Sequence, residues 1–118
     1  MEDDLMDVFT TQNENYDVIK VSGRVDSFTA PKLAEVFLSL IKDNRFNFAF
    51  DMSGIDYISS AGLRVMIDIQ KNCRQANRGE LILVGIPKRI SETLELAGFI
   101  PLFRLFDDLD NAVNSFIN

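Results

Sequence analysis

Histidine is absent from the 118 residues of the chain. Histidine is the most frequent general base of enzymes and the commonest metal ligand. It is also the only side chain whose unperturbed pKa lies between about 5 and 8. Any catalytic site must therefore be built from carboxylates, lysines or hydroxyl groups. An enzymatic function has little support on this ground.

The chain also has little cysteine and no cluster of glycines. The single cysteine, Cys73, excludes an internal disulfide and any metal site with several cysteine ligands. Cys73 lies on the apolar side of a predicted helix, so we expect it to be a small buried side chain. The six glycines are scattered singly, which leaves no glycine-rich loop to hold a phosphate. The sequence therefore predicts neither a metal nor a cofactor.

Long apolar runs and excess positive charge are missing as well. No run approaches the roughly 20 apolar residues of a transmembrane helix, and Met1 to Asp4 are acidic where a secretory signal would be basic. The net charge of -6, from 12 basic and 18 acidic residues, repels nucleic acid backbones and anionic lipids. We therefore expect a cytoplasmic protein that binds neither nucleic acid nor membranes.

The size of the chain is that of one domain. Its content of 47% apolar and 25% charged residues is typical of an ordinary soluble domain. No linker rich in serine, glycine or proline and no internal repeat interrupts it. We expect a single domain over residues 1–118.

The first part of the chain is predicted to form a hairpin and then a helix. Two short β-branched runs, residues 7–11 and 16–22, are separated by four polar residues, and Gly23 is expected to end the second strand. Residues 24–28 form a loop that leads to Thr29, the expected N-cap of the first helix.

Three phenylalanines alternate with other residues in the middle of the chain. Phe46, Phe48 and Phe50 have the period of two that is typical of a strand, with three rings on one face. We expect this strand to be central, to end at Asp51 and to be followed by a loop that contains Asp56.

The rest of the chain continues the alternation. Apolar positions at helical spacing predict a helix that starts at Ser59, another within residues 87–98 and a last one from Leu109. Apolar runs predict strands at 81–84 and 102–106. The order predicts an α/β fold in which about four helices pack on a mixed β-sheet of four or five strands.

Three short motifs stand near the predicted strand ends. Residues 23–26 are Gly-Arg-Val-Asp, residues 51–53 are Asp-Met-Ser and residues 59–63 are Ser-Ser-Ala-Gly-Leu. Together with the order of elements over almost the whole chain, these motifs resemble those of the STAS domain family. That family includes anti-sigma factor antagonists and the tails of sulphate transporters.

The resemblance implies a phosphorylation site and a partner. It places the phosphorylated serine of the family at Ser60 and the partner-binding surface at Asp26, Ser59, Ser60 and Gly62. It implies that the unphosphorylated form binds an anti-sigma factor that is also a serine protein kinase and frees the other partner of that protein. Phosphorylation reverses the binding, and a serine phosphatase restores it. The domain would then be a substrate and a binder, not an enzyme.

The residues themselves allow two interpretations of the serine pair. A serine at a helix N-terminus is explained by capping, because its hydroxyl accepts from an unpaired N–H. The same position also favours a phosphate, since free N–H groups and the helix dipole face it. We expect Ser59 to be the N-cap and Ser60 to point outward. Asp26 is likewise either a turn residue or part of the partner surface.

Three other functions remain open at this point. In a receiver domain, Asp51 would accept phosphate, although the chain has no acidic pair after its first strand to hold the required Mg²⁺. A small hydrolase would use Asp51 and Asp56, without a nucleophile-base pair to support them. A STAS scaffold would keep the fold, with Ser60 never modified.

Overall fold

The computed structural model describes residues 6–117. These residues form β1 (Met6–Gln12), β2 (Asp17–Val25), α1 (Ala30–Lys42), β3 (Asn47–Ile58), α2 (Ser60–Arg74), β4 (Glu80–Val84), α3 (Lys88–Leu96), β5 (Leu105–Phe106) and α4 (Leu109–Ile117). The acidic start at residues 1–4 and the two ends of the predicted domain lie outside the described residues.

All five strands belong to one sheet with the order β1-β2-β3-β4-β5. The first two strands are antiparallel, and every other neighbouring pair is parallel. The predicted hairpin is confirmed, and so is the predicted mixed sheet of four or five strands with about four helices, since residues 6–117 form five strands and four helices. The central position of β3 is confirmed as well.

The alternation of side chains along β3 divides the core between the two faces of the sheet. Phe48 and Phe50 are fully buried on the face covered by α1, α2 and α3. Their ring centroids lie 5.3 and 5.5 Å from that of Phe37 in edge-on geometry. Phe46 belongs to the same core although it precedes the strand. Ala49, on the opposite face, packs in a smaller cluster with Ala112 of α4.

Strands β2 and β3 continue well past their predicted ends. Gly23 does not end β2, because its φ of +99° belongs to an irregularity of the ladder after which pairing with β3 resumes. Asp51 does not end β3 either. The strand continues to Ile58, where a buried side chain again anchors it, and Asp56 therefore lies in a strand and not in a loop.

The last strand is shorter than predicted. Only Leu105–Phe106 pair with β4, whereas Ile100–Leu102 form a 3₁₀ turn. Pro101 has no N–H to donate to a ladder, which favours the turn. The turn is tied to α2 by a hydrogen bond. The carbonyl of Leu102 accepts from the amide of the buried Gln70 over 2.8 Å.

Candidate functional site

The parallel ends of β2 and β3 bring two distant segments of the chain together. Val25 and Ile58 are partners in the ladder, and the N–H of Ser59 donates to the carbonyl of Val25 over 2.8 Å. Asp26 and Ser59 are the residues that directly follow these partners. The Asp26 loop and the start of α2 therefore lie side by side at one edge of the sheet.

Asp26 organises the loop that follows β2. Its Oδ1 accepts from the backbone N–H groups of Phe28 and Thr29, each over 3.0 Å. The Thr29 hydroxyl accepts from the N–H of Asp26 over 2.9 Å and donates to the carbonyl of Arg24 over 2.8 Å. Thr29 stands at the N-cap position as predicted, but its side chain makes no capping bond to the helix. The carboxylate of Asp26 ties the loop to the start of α1 instead.

These contacts stabilise the charged form of Asp26. The N–H of Thr29 is the main cause that holds the pKa of Asp26 below its ordinary value of 3.8. Partial desolvation raises the pKa of Asp26. The Phe28 N–H, the Thr29 hydroxyl and the charge of Arg24 lower it further. Arg24 Nε lies 3.7 Å from Asp26 Oδ2, and its guanidinium stacks 4.4 Å from the ring centroid of Tyr57. This edge of the sheet therefore carries a fixed negative charge next to an arginine.

The two serines have different positions at the start of α2. Ser59 has extended backbone angles, and its Oγ accepts from the N–H of Gly62 over 3.4 Å, so the predicted N-cap is confirmed. Ser60 is the first helical residue, and its side chain is exposed. Only the second serine is thus accessible without loss of a capping bond.

Gly62 lies underneath this surface and not on it. The residue is buried, and a Cβ built on it would stand 2.6 Å from Ile58 Cγ1 and 2.7 Å from Val25 Cγ1. A larger residue would push α2 away from the strand ends. Gly62 therefore shapes the site by allowing close packing of the helix.

Phe28 is a prominent side chain of this region that the sequence interpretation missed. It precedes the N-cap of α1, where an apolar residue commonly packs against the fourth helical residue, here Leu33. Leu33 is fully buried, yet the side chain of Phe28 is 85% exposed. An aromatic residue in a short polar loop was the available signal, because folding alone does not require it there.

The other candidate residues are not assembled into a site. Asp51 lies within β3, paired with Lys20 and Val84, and its Oδ1 accepts from the N–H and the hydroxyl of Ser53 over 3.0 and 2.7 Å. Asp51 is therefore not at the strand end that a receiver domain requires. Cys73 is fully buried as predicted, and burial raises the pKa of its thiol to about 12.

Neither a metal-binding cluster nor a membrane-spanning helix is found within residues 6–117. No cluster there unites three or more cysteine, aspartate or glutamate side chains that could hold a metal ion. None of the helices in this part of the chain has the length and apolar character needed to cross a membrane.

Comparison with known proteins matches the sequence of this chain to a family. Residues 8–112 match the sequence model of the STAS domain. The anti-sigma-B factor antagonist of Staphylococcus aureus is 31% identical over 96 residues, which cover 81% of this chain and 87% of that protein.

Two solved structures share the fold. An anti-sigma factor antagonist from Mycobacterium paratuberculosis superposes with a TM-score of 0.85 at 20% identity, covering 96% of this chain and 95% of that one. The Bacillus cell fate determinant SpoIIAA in its phosphorylated form superposes with a TM-score of 0.74 at 13% identity, covering 92% and 98%.

Proposed function

The chain belongs to the STAS domain family, and we propose that it acts as an anti-sigma factor antagonist whose binding is switched by phosphorylation of Ser60. The observation that carries this proposal is the position of Ser60. Its hydroxyl is exposed at the first residue of α2, beside the Asp26 loop, while Ser59 makes the capping bond. A modification at this point changes the surface and leaves the helix cap intact.

The names of the relatives support the same function. The Staphylococcus aureus protein is named an antagonist of an anti-sigma factor, and the alignment with it spans most of both chains. One structural neighbour was solved in a phosphorylated form. We infer that the partner of this chain is an anti-sigma factor that is also a serine kinase, acting in the cytoplasm of a bacterium.

The proposed binding surface combines charge with an apolar side chain. Asp26, Ser59 and Ser60 contribute polar groups, and Phe28 contributes an exposed ring two residues after Asp26. Aromatic residues at the centre of an interface often carry much of its binding energy. Gly62 supports this surface from below. A protein partner suits the net charge of -6 better than a nucleic acid does.

The switch is a phosphoryl transfer in which the domain is a substrate. The Oγ of Ser60 attacks the γ-phosphorus of ATP held by the kinase, the bond from that phosphorus to the bridging oxygen breaks, and ADP leaves. The hydroxyl proton passes to the kinase. The product carries about -1.5 to -2 additional charges at the binding surface. A phosphatase then uses water to release inorganic phosphate and restores the hydroxyl, and with it the binding.

Phosphate mapping tests this proposal. The domain is incubated with a purified anti-sigma factor kinase of the source organism and ATP, and the phosphate is located by peptide mass spectrometry. We expect one phosphate on Ser60 and none in Ser60→Ala, with Ser59→Ala still modified. Phosphate on Ser59, Ser53 or Thr29 would contradict the assignment. A domain that binds this kinase and is never modified would be a scaffold.

A further inference from the structure

A groove runs along α2 away from Ser60. Its volume is about 430 Å³, and its walls come from α2 and from the turn after α3, through Ser60, Leu63, Arg64, Ile67, Asp68, Lys71 and Phe99. The proposed phosphorylation site is thus one end of a groove whose next charged residue is an arginine. Two basic residues and one acid line its length.

Arg64 is placed to reach the Ser60 side chain. The two residues are four positions apart on one helix, so they lie on the same face one turn from each other. Long side chains on a helix extend toward its N-terminus, which directs Arg64 toward Ser60 and not away from it. An acidic group four residues before a basic one is also the favourable order for an ion pair on a helix.

Arg64 is free of other commitments within residues 6–117. Arg24, Arg45 and Arg104 each have a carboxylate within 4 Å, whereas Arg64 forms no ion pair or hydrogen bond with another described side chain. Asp68 is the competing acid one turn further along α2, and Lys71 lies nearly two turns beyond Arg64. In the neighbouring loop after β2, Arg24 and Asp26 are paired with each other.

We propose that Arg64 binds the phosphate of phosphorylated Ser60 and holds it against α2. The inference rests on the proposed phosphorylation of Ser60. The planar guanidinium offers paired N–H groups that match two phosphate oxygens, which makes the contact charge-assisted and directional. The contact stabilises the dianionic form of the phosphate at the start of α2.

The test uses a domain that carries phosphoserine at position 60, inserted during translation, in otherwise unchanged, Arg64→Gln and Lys71→Gln chains. The ³¹P chemical shift of each is followed through a pH titration at low salt. Because a cation favours the dianion, we expect the titration midpoint of the unchanged chain to lie about 0.3 pH unit or more below that of Arg64→Gln. Lys71→Gln loses the same charge in the same groove, yet its midpoint should match the unchanged chain.

The salt dependence and the melting temperature serve as controls for this titration. The difference should shrink in about 1 M salt, where exposed charges are screened. Equal midpoints for the unchanged chain and Arg64→Gln would overturn the proposal, and so would an equal rise in Lys71→Gln. Arg64 is exposed, so unphosphorylated Arg64→Gln should melt at the temperature of the unchanged domain.

The outcome does not depend on any kinase, because the phosphate is inserted during translation. If a kinase modified another residue, the proposed function would fail while the contact measured here could still be present. If the kinase modified Ser60 but the midpoints were equal, only the role of Arg64 would fail.

Discussion

Strand β2 has an aspartate at each end, and the two carboxylates have opposite surroundings. Asp17, the first residue of the strand, is fully buried and accepts from Arg45 Nε over 2.7 Å. Asp26, directly after the last residue, is partly exposed and accepts from N–H groups of its own loop. One carboxylate joins distant parts of the chain, and the other organises a few neighbouring residues.

The difference separates a structural end of the sheet from the end that carries the proposed binding surface, which is called the functional end below. Arg45 also donates to the carbonyls of Asn13 and Tyr16, so it ties the turn of the hairpin to the segment before β3. Loss of these contacts disturbs the fold. The contacts of the Asp26 carboxylate lie within residues 24–29. We expect changes there to alter the proposed binding surface and to leave the core intact.

We expect the largest loss of stability at the Asp17–Arg45 pair, the structural end of the sheet. Arg45→Met leaves the buried carboxylate of Asp17 without its partner, which typically costs about 3 to 5 kcal/mol of unfolding free energy. Urea titration measures the loss. The matched control is Arg24→Met, which breaks the more exposed ion pair at the other end and should hardly shift the titration. Equal losses in the two variants would remove the distinction between the two ends.

The next effect concerns partner affinity at the functional end. Phe28→Ala removes an exposed ring from the proposed surface, and we expect about tenfold to thirtyfold weaker binding, or about 1.4 to 2 kcal/mol. Phe9→Ala is the matched control, since Phe9 is also exposed but lies on the edge strand β1. Isothermal titration calorimetry with the kinase measures the affinity of both variants. Unchanged affinity in Phe28→Ala would exclude the ring from the interface.

A smaller effect is expected for the helix cap. Ser59→Ala removes the hydroxyl that accepts from the N–H of Gly62, and caps of this kind contribute about 0.5 to 2 kcal/mol. The bond is 3.4 Å long, so we expect about 0.5 to 1 kcal/mol in thermal unfolding. Ser60→Ala, one residue later, should cost less than Ser59→Ala. The opposite order would exchange the roles of the two serines.

The smallest expected effect is the pH dependence of stability that comes from the charge of Asp26. Because its pKa in the folded domain is lowered, the charge contributes stability above pH 3.8 that is lost as the pH falls through the folded value. Asp26→Asn keeps an oxygen for the two N–H groups and removes the charge. Its melting temperature should lie slightly below that of the unchanged domain near pH 6 and approach it below pH 4. A constant gap at all pH values would exclude the charge as the cause.

The order of elements was predictable because it depends on periodicity. Phe48 and Phe50 alternate, and the helices repeat apolar residues at three and four positions, so the face that each element buries can be inferred from the sequence. Cys73 and the cap at Ser59 followed from the same local rules. Local rules failed where strand pairing overrides composition. Gly23 and Asp51 have the appearance of strand ends, yet ladder partners carry both strands past them.

The candidate site was predictable only in part. Its serines stand at a recognisable helix start, but the motif resemblance supplied the choice of Ser60. The hydrogen bonds of Asp26 depend on the conformation of its loop, which residue types did not determine. The exposure of Phe28 is a three-dimensional property, since the same residue in a stapled loop would be buried.

The central claim is that a negative charge at Ser60 strongly weakens partner binding without disturbing the fold. The most direct measurement is the affinity of Ser60→Glu for the anti-sigma factor kinase, with Ser39→Glu on the exposed side of α1 as the matched control. A charge placed in the interface without a partner should weaken binding by about 2 to 5 kcal/mol, or some thirtyfold to several thousandfold. Ser39→Glu should bind as the unchanged domain does, and both variants should melt normally. Unchanged affinity in Ser60→Glu, or equal losses in both variants, would contradict the claim.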